Sequence, residues 1–389
     1  MRFADRMFRL GTETAFEVLV KARALEAQGR DVVHLEIGEP DFDTPKHVIE
    51  AGKAALDQGY THYGPSAGLP ELREAIAQDM AQSRNITVSP EQVVVTPGAK
   101  PIMFYVVLAL AQAGDEVIYP NPGFPIYESV IRFVGATPVP IPLREERAFS
   151  LDVDELRGLV TDRTRLIIIN SPQNPTGGIL PPEDLEAIAQ VAVQHGIPVL
   201  TDEIYSRMIY DGAFHSITAY AGMQDLAIIL DGFSKTYAMT GWRLGYGVMP
   251  QELAAHVTKL MVNSNSCTAT FAQRAGLAAL QGPQDEVDAM IAEFRRRRDM
   301  FIAGLNGIPG ISCTMPQGAF YAFPNVTAVS RSSQEVADYL MQEGGVACLA
   351  GRDFGEYGEG YLRFSYANSM ENLNKALDRI ADCMARLQG

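Results

Sequence analysis

Cysteine is scarce in this 389-residue chain, and metal-binding side chains do not cluster. Cys267, Cys313, Cys348 and Cys383 are scattered. With no Cys-x-x-Cys pair and no grouped histidines, neither a disulfide framework nor a structural metal is expected. Positive charge is also short: 32 Lys and Arg stand against 47 Asp and Glu, a formal net charge of −15. Nucleic acids and anionic membranes both need a basic face, so neither is an expected partner. The opening residues lack a long apolar segment and carry an acid at Asp5. No secretory signal or transmembrane span is therefore expected, and the cytoplasm is the expected compartment. Internal repeats and low-complexity tracts are missing as well.

What remains is an ordinary globular composition, 47% hydrophobic and 20% charged, on a chain longer than one hydrophobic core usually holds. Through its middle, apolar runs of strand length alternate with helical patterns. Residues 93–96 lead to 100–110, 116–119 to 127–134, and 166–170 to 183–195. The runs 199–202, 227–230 and 244–248 follow. This alternation predicts an α/β fold with a mostly parallel sheet covered by helices. Ligands bind beyond the carboxyl ends of the strands in such sheets. Gly98 to Lys100, Asn174, Asp202 and Lys235 each follow an apolar run, so they converge on that edge. From about residue 285 the pattern changes to long helices, 285–305 and 371–386, around short strand candidates near Ser312, 320–323 and 361–364. A second, smaller α+β domain is expected there.

Lys235 lies in Asp231-Gly-Phe-Ser-Lys235-Thr-Tyr-Ala-Met-Thr-Gly-Trp-Arg243. An amine there can condense with an aldehyde, while the Ser234 hydroxyl and the Arg243 guanidinium are suited to a phosphate. Other short motifs occur along the chain: Gly38-Glu-Pro-Asp-Phe-Asp, Tyr63-Gly-Pro-Ser-Ala-Gly, Thr96-Pro-Gly-Ala-Lys100, Asn170-Ser-Pro-Gln-Asn174-Pro-Thr-Gly177, Thr201-Asp202-Glu-Ile-Tyr205, Pro316-Gln-Gly-Ala-Phe-Tyr and Gly360-Tyr-Leu-Arg363. Together and in this order they resemble the class I and II aminotransferases, pyridoxal 5'-phosphate enzymes of fold type I. They are closest to the bacterial aspartate aminotransferase-like subfamily, and the resemblance spans essentially the whole chain.

The resemblance implies a large cofactor-binding domain over residues 46–285 and a small domain from 1–45 and 286–389. It makes Lys235 the Schiff-base lysine and proton carrier. Asp202 would sit beside the pyridine nitrogen and favour its protonated form. Tyr205 and Asn174 would bond to the cofactor's phenolic oxygen, and Phe124 would stack on the ring, where many relatives carry Trp or Tyr. Gly98, Ala99 and Lys100 at a helix start, with Ser234 and Arg243, would cup the phosphate. Tyr63 would complete that cup from a second subunit, which implies a homodimer with shared active sites. Arg363 would grip the substrate α-carboxylate with its planar fork, and the Gly38 backbone would pass close by.

The implied reaction is a ping-pong exchange between an amino acid and a 2-oxo acid. Lys100 is the candidate for reading a distal carboxylate, which favours aspartate or glutamate as donor. Glu13 would repel a second carboxylate, and the segment 264–268 lacks the arginine of other aspartate enzymes. A broad or neutral-substrate aminotransferase therefore stands beside that reading, as does a carbon–sulfur β-lyase on the same fold. A DNA-binding regulator built on this domain is not expected, because nothing before Gly38 could house a basic helix-turn-helix.

Overall fold

The computed structural model describes residues 1–388. Its central seven-stranded sheet comprises β1 (Val93–Thr96), β2 (Glu116–Asn121), β3 (Thr137–Pro142), β4 (Thr164–Asn170), β5 (Val199–Asp202), β6 (Ala227–Gly232) and β7 (Gly245–Val248). The strand order is β1-β7-β6-β5-β4-β2-β3. Neighbours from β6 through to β3 run parallel, while β7 is antiparallel to both β1 and β6. Both faces are buried, which is why the strands read as unbroken apolar runs. Ile167 and Ile169 share a core with Leu185 and Ile188, whereas Leu166 and Ile168 belong to one with Ile102 and Val106.

The edge strand β3 escaped the apolar pattern because it reads Thr-Pro-Val-Pro-Ile-Pro. It still pairs, because its prolines fall on alternate positions. The Thr137 and Leu143 amides donate inward to Asp115 and Asn121, each at 2.8 Å. By the period of two, residues 138, 140 and 142 present their missing N–H groups to the open edge, where no donor is needed.

The terminal parts of the chain build two smaller sheets. Val33–His34 pairs in parallel with Val346–Ala347. Leu362–Ser365 lies antiparallel between Leu349–Ala350 and Tyr321–Ala322. Phe301 and Leu305 of the helix Asp285–Asn306 share a core with Leu373 and Ile380 of the helix Met370–Gln388. The strand expected near Ser312 is reduced to an isolated bridge with Asn325. The next amide, Cys313, donates to the Asn306 side chain at 2.7 Å, which draws the backbone away from a ladder.

All four cysteines are free thiols. Among the described residues no helix is long and apolar enough to cross a membrane.

Candidate active site

A cavity of about 510 Å³ lies beyond the carboxyl ends of β1, β4, β5 and β6. Each strand contributes by the same device, an apolar run that stops and delivers a polar residue to the edge. Asp202 closes β5, and its buried Oδ2 accepts a hydrogen bond from the Tyr127 phenol at 2.6 Å. The Ile204 amide donates to Oδ1 at 3.3 Å. Burial pushes the Asp202 carboxyl up to about 6, against the pull of these two donors. It remains mostly ionised at pH 7, and a positive partner would hold it more firmly so. Asn170, ending β4, donates to the Asp202 carbonyl at 2.9 Å and accepts from the Asn174 amide at 2.9 Å. That bridge fixes the turn carrying Asn174.

Lys235 follows β6 after the short run from Gly232, and its amine donates to the Gly38 carbonyl. Burial lowers the amine to about 8; Glu39 opposes the shift, and Arg363 adds to it. A useful fraction is therefore neutral, and nucleophilic, near physiological pH.

Gly98 takes a positive φ of 90°. A Cβ there would come within 2.2 Å of Arg243 Nη2, so the guanidinium occupies the space a side chain would need. The Gly98 amide itself is committed to the Thr96 carbonyl at 2.8 Å. Gly98 thus serves by shape, and the expected phosphate-facing amides come down to Ala99 and Lys100, at the open start of the helix Lys100–Leu110. Ser234 and Arg243 line the same end. Arg243 is held by its own bond to the Thr240 carbonyl at 2.8 Å. The residues present therefore fit a phosphorylated aldehyde: a cradle that a methyl group would fill, two cationic or hydroxyl donors, and an amine with a depressed pKa.

Arg363 enters from the antiparallel strand Leu362–Ser365. Its Nη1 lies 3.3 Å from Asn174 Oδ1, and Nη2 donates to the Glu36 carbonyl. Nε is buried and has no hydrogen-bond partner among the described residues. Tyr321 lies beneath the guanidinium, with its ring centre 4.7 Å from Cζ. The Tyr321 and Tyr205 hydroxyls are 2.8 Å apart, so the expected donor Tyr205 is paired at the cavity wall. Gly38 must be glycine here, since a Cβ would sit 2.1 Å from the Tyr321 hydroxyl oxygen.

Two more of the expected residues, Lys100 and Tyr63, have distinct surroundings. Lys100 reaches the cavity but is ion-paired to Glu13, with its amine 5.3 Å from the centre of the Phe124 ring. The two residues expected to oppose each other over a distal carboxylate instead neutralise one another. Tyr63 is 90% exposed and lies outside the wall of its own chain's cavity, where a residue expected to serve a second subunit would lie. Sequence reasoning also missed Tyr127, Tyr321, Met103 and Phe16, all of which line the cavity. Tyr127, in the first turn of the helix Ile126–Val134, meets the ring of Phe124, just before it, edge-on, with ring centres 5.6 Å apart.

Comparison with known proteins agrees with this geometry. The family model "Aminotransferase class I and II" matches residues 30–380. An aspartate aminotransferase of Pyrococcus abyssi is 43% identical over 90% of this chain and 91% of its own. Aromatic-amino-acid aminotransferase 2 of Thermococcus litoralis is 38% identical over 98% and 97%. The solved structure of the Thermus thermophilus aspartate aminotransferase with maleate superposes with a TM-score of 0.94 at 38% identity, covering 98% of this chain and 100% of that one. The fold is thus that of the fold type I transferases. The chain belongs to the class I and II aminotransferases.

Proposed function

We propose that this aminotransferase holds pyridoxal 5'-phosphate in the cavity and moves the amino group of an L-amino acid, foremost aspartate or glutamate, to a 2-oxo acid. The observation that carries the reading is the meeting of Lys235, Asp202 and Arg363 in one cavity, each brought by a different strand or the turn after it. The cofactor supplies an electron sink for the bonds at the substrate's α-carbon. The protein's own groups do the rest. Arg363, with one N–H still unsatisfied, grips the α-carboxylate and orients the α-carbon towards Lys235. The Lys235 amine, neutral in part at pH 7, carries the proton to and from that carbon. Asp202 would supply the negative charge that favours a protonated ring nitrogen. Asn174 and Tyr205 would bond to the cofactor's phenolic oxygen, and Phe124 would offer its ring for stacking. Ala99, Lys100, Ser234 and Arg243 would hold the phosphate, with Gly98 leaving room for it.

The working division is a large domain of residues 46–285 and a small one of 1–45 with 286–389. Pairing of Val33–His34 with Val346–Ala347 supports joining the two ends of the chain. The exposure of Tyr63 supports a homodimer in which the partner's Tyr63 completes the phosphate cup. A soluble cytoplasmic setting accords with the absence of any membrane-crossing helix among the described residues.

A second reading, a broad or aromatic donor range, is favoured by the Lys100–Glu13 pair and the apolar walls at Phe16, Met103 and Phe124. The deciding experiment is an absorbance spectrum of the purified protein with pyridoxal phosphate, then aspartate, then 2-oxoglutarate. Loss of the visible band with aspartate and its return with 2-oxoglutarate is the expected result. A band that responds only to phenylalanine or alanine would replace the dicarboxylate reading with the second one.

A further inference from the structure

Directly beneath the cavity floor, on the other face of the sheet, lies a charge cluster that the reaction does not touch. Arg84, the last residue of the helix Pro70–Arg84, is buried. Its Nε donates to Glu203 Oε2 at 3.0 Å and its Nη2 to Asp231 Oδ2 at 2.7 Å. All three side chains are all but sealed from solvent, at 4%, 1% and 6% exposure. Glu203 Oε1 also accepts from Ser216 at 2.6 Å and Thr201 at 3.1 Å, and Asp231 Oδ1 accepts from the Gly232 amide at 2.7 Å.

The register of the sheet gives this cluster its meaning. β5 and β6 pair with Asp202 opposite Leu230, and both of these line the cavity. Successive side chains in a strand point to opposite faces. Glu203 and Asp231, each one step further along, therefore lie side by side on the reverse face. That face packs on the helix of Arg84, where Ile229 shares a core with Leu72, Ile76 and Met80. Two adjacent carboxylates at neighbouring strand ends repel each other and would splay the strands apart. One guanidinium fork spans both. On one side of the clamp the next residue back is Asp202; on the other, four residues further on, is Lys235.

We propose that Arg84 is a positioning residue of this aminotransferase: by pinning Glu203 to Asp231 it sets the separation between Asp202 and Lys235 on the opposite face. The inference rests on the roles assigned to those two residues above. Burial works against the Arg84 charge, yet Glu203 and Asp231 hold the guanidinium above the ordinary arginine value. Burial likewise pushes Asp231 up to about 7 despite Arg84, so this carboxylate depends on the guanidinium to stay ionised.

The test uses the full-length enzyme loaded with pyridoxal phosphate and the variants Arg84→Lys, Glu203→Gln and Asp231→Asn. They perturb the clamp from three sides, and any one that folds, judged by circular dichroism, carries the test. Three quantities are read: kcat, KM for the amino donor, and the pH midpoint of the cofactor's visible absorption band. The expected result is a kcat lowered about tenfold or more, as small misplacements of reacting groups produce. KM should stay within about twofold, since Arg363 is untouched. The band midpoint should shift by about half a pH unit or more, reporting a changed charge geometry around Lys235. Folded variants with wild-type kcat and midpoint, whatever their melting temperature, overturn the proposal. A wild-type enzyme whose visible band ignores every amino donor would overturn the functional reading itself, a distinct outcome.

Discussion

The phenol of Tyr127 and the carboxylate of Asp202 share a buried hydrogen bond of 2.6 Å. Tyr127 thus sets how readily Asp202 takes up a proton. Its donation lowers the carboxyl, whereas burial raises it to about 6. Removing the hydroxyl in Tyr127→Phe should move Asp202 above that value. On the proposed role of Asp202 the ionised form is the working one, so the acidic limb of kcat/KM against pH should shift to higher pH. At pH 7, kcat/KM should fall about two- to tenfold, the loss of ionised Asp202 expected when a hydrogen bond of ~1.5–3 kcal/mol to the carboxylate is removed. An unmoved acidic limb would show that another group governs it.

Lys235 carries the second prediction. Its amine is brought down to about 8 chiefly by burial, so it is half neutral there, where an exposed lysine is almost wholly protonated. In the cofactor-free protein, acylation at Lys235, followed by peptide mass spectrometry, should accelerate through about pH 8 and level off above it. Surface lysines in the same sample should keep accelerating to about pH 10. The Lys235→Ala variant should lose about 10²–10⁴-fold or more in turnover, the range for a removed proton carrier.

Lys100 and Glu13 should have opposite effects. If Lys100 breaks its pair to meet a distal carboxylate, Lys100→Ala should raise KM for aspartate about tenfold and leave KM for alanine nearly unchanged. Glu13→Gln should lower KM for aspartate, because the amine is released from its partner. Equal shifts for both donors would remove Lys100 from that role.

At Gly98 the backbone angle and the neighbouring guanidinium act together. Gly98→Ala would place a Cβ at a φ of 90° and drive it into Arg243, at 2.2 Å. The strain alone costs about 1 kcal/mol or more. Displacing Arg243 should weaken cofactor binding about tenfold, measured by titrating pyridoxal phosphate into the cofactor-free protein. An unaltered affinity would mean that Arg243 does not hold the phosphate.

Much of this was legible before any coordinates. β1 and β5 fall at residues 93–96 and 199–202 as the apolar runs predict, because doubly buried parallel strands leave an unbroken hydrophobic signature. The polar residues just past those runs converge for the same reason. The edge strand β3 was hidden because its prolines contradict strand propensity and are tolerated only at an open edge. Tyr127 was hidden because an aromatic residue near a helix start reads as core until its hydroxyl is seen to meet Asp202. The Lys100–Glu13 pair was out of reach for another reason: no local pattern links a helix start to a segment most of a hundred residues earlier.

Gly38 and Arg363 stand on the same cavity wall although most of the chain separates them. During synthesis Gly98, Asp202 and Lys235 leave the ribosome long before Arg363. On the proposed roles, every residue that this chain offers the cofactor is made before the arginine for the substrate, so catalytic competence arrives only with the final stretch of the polypeptide.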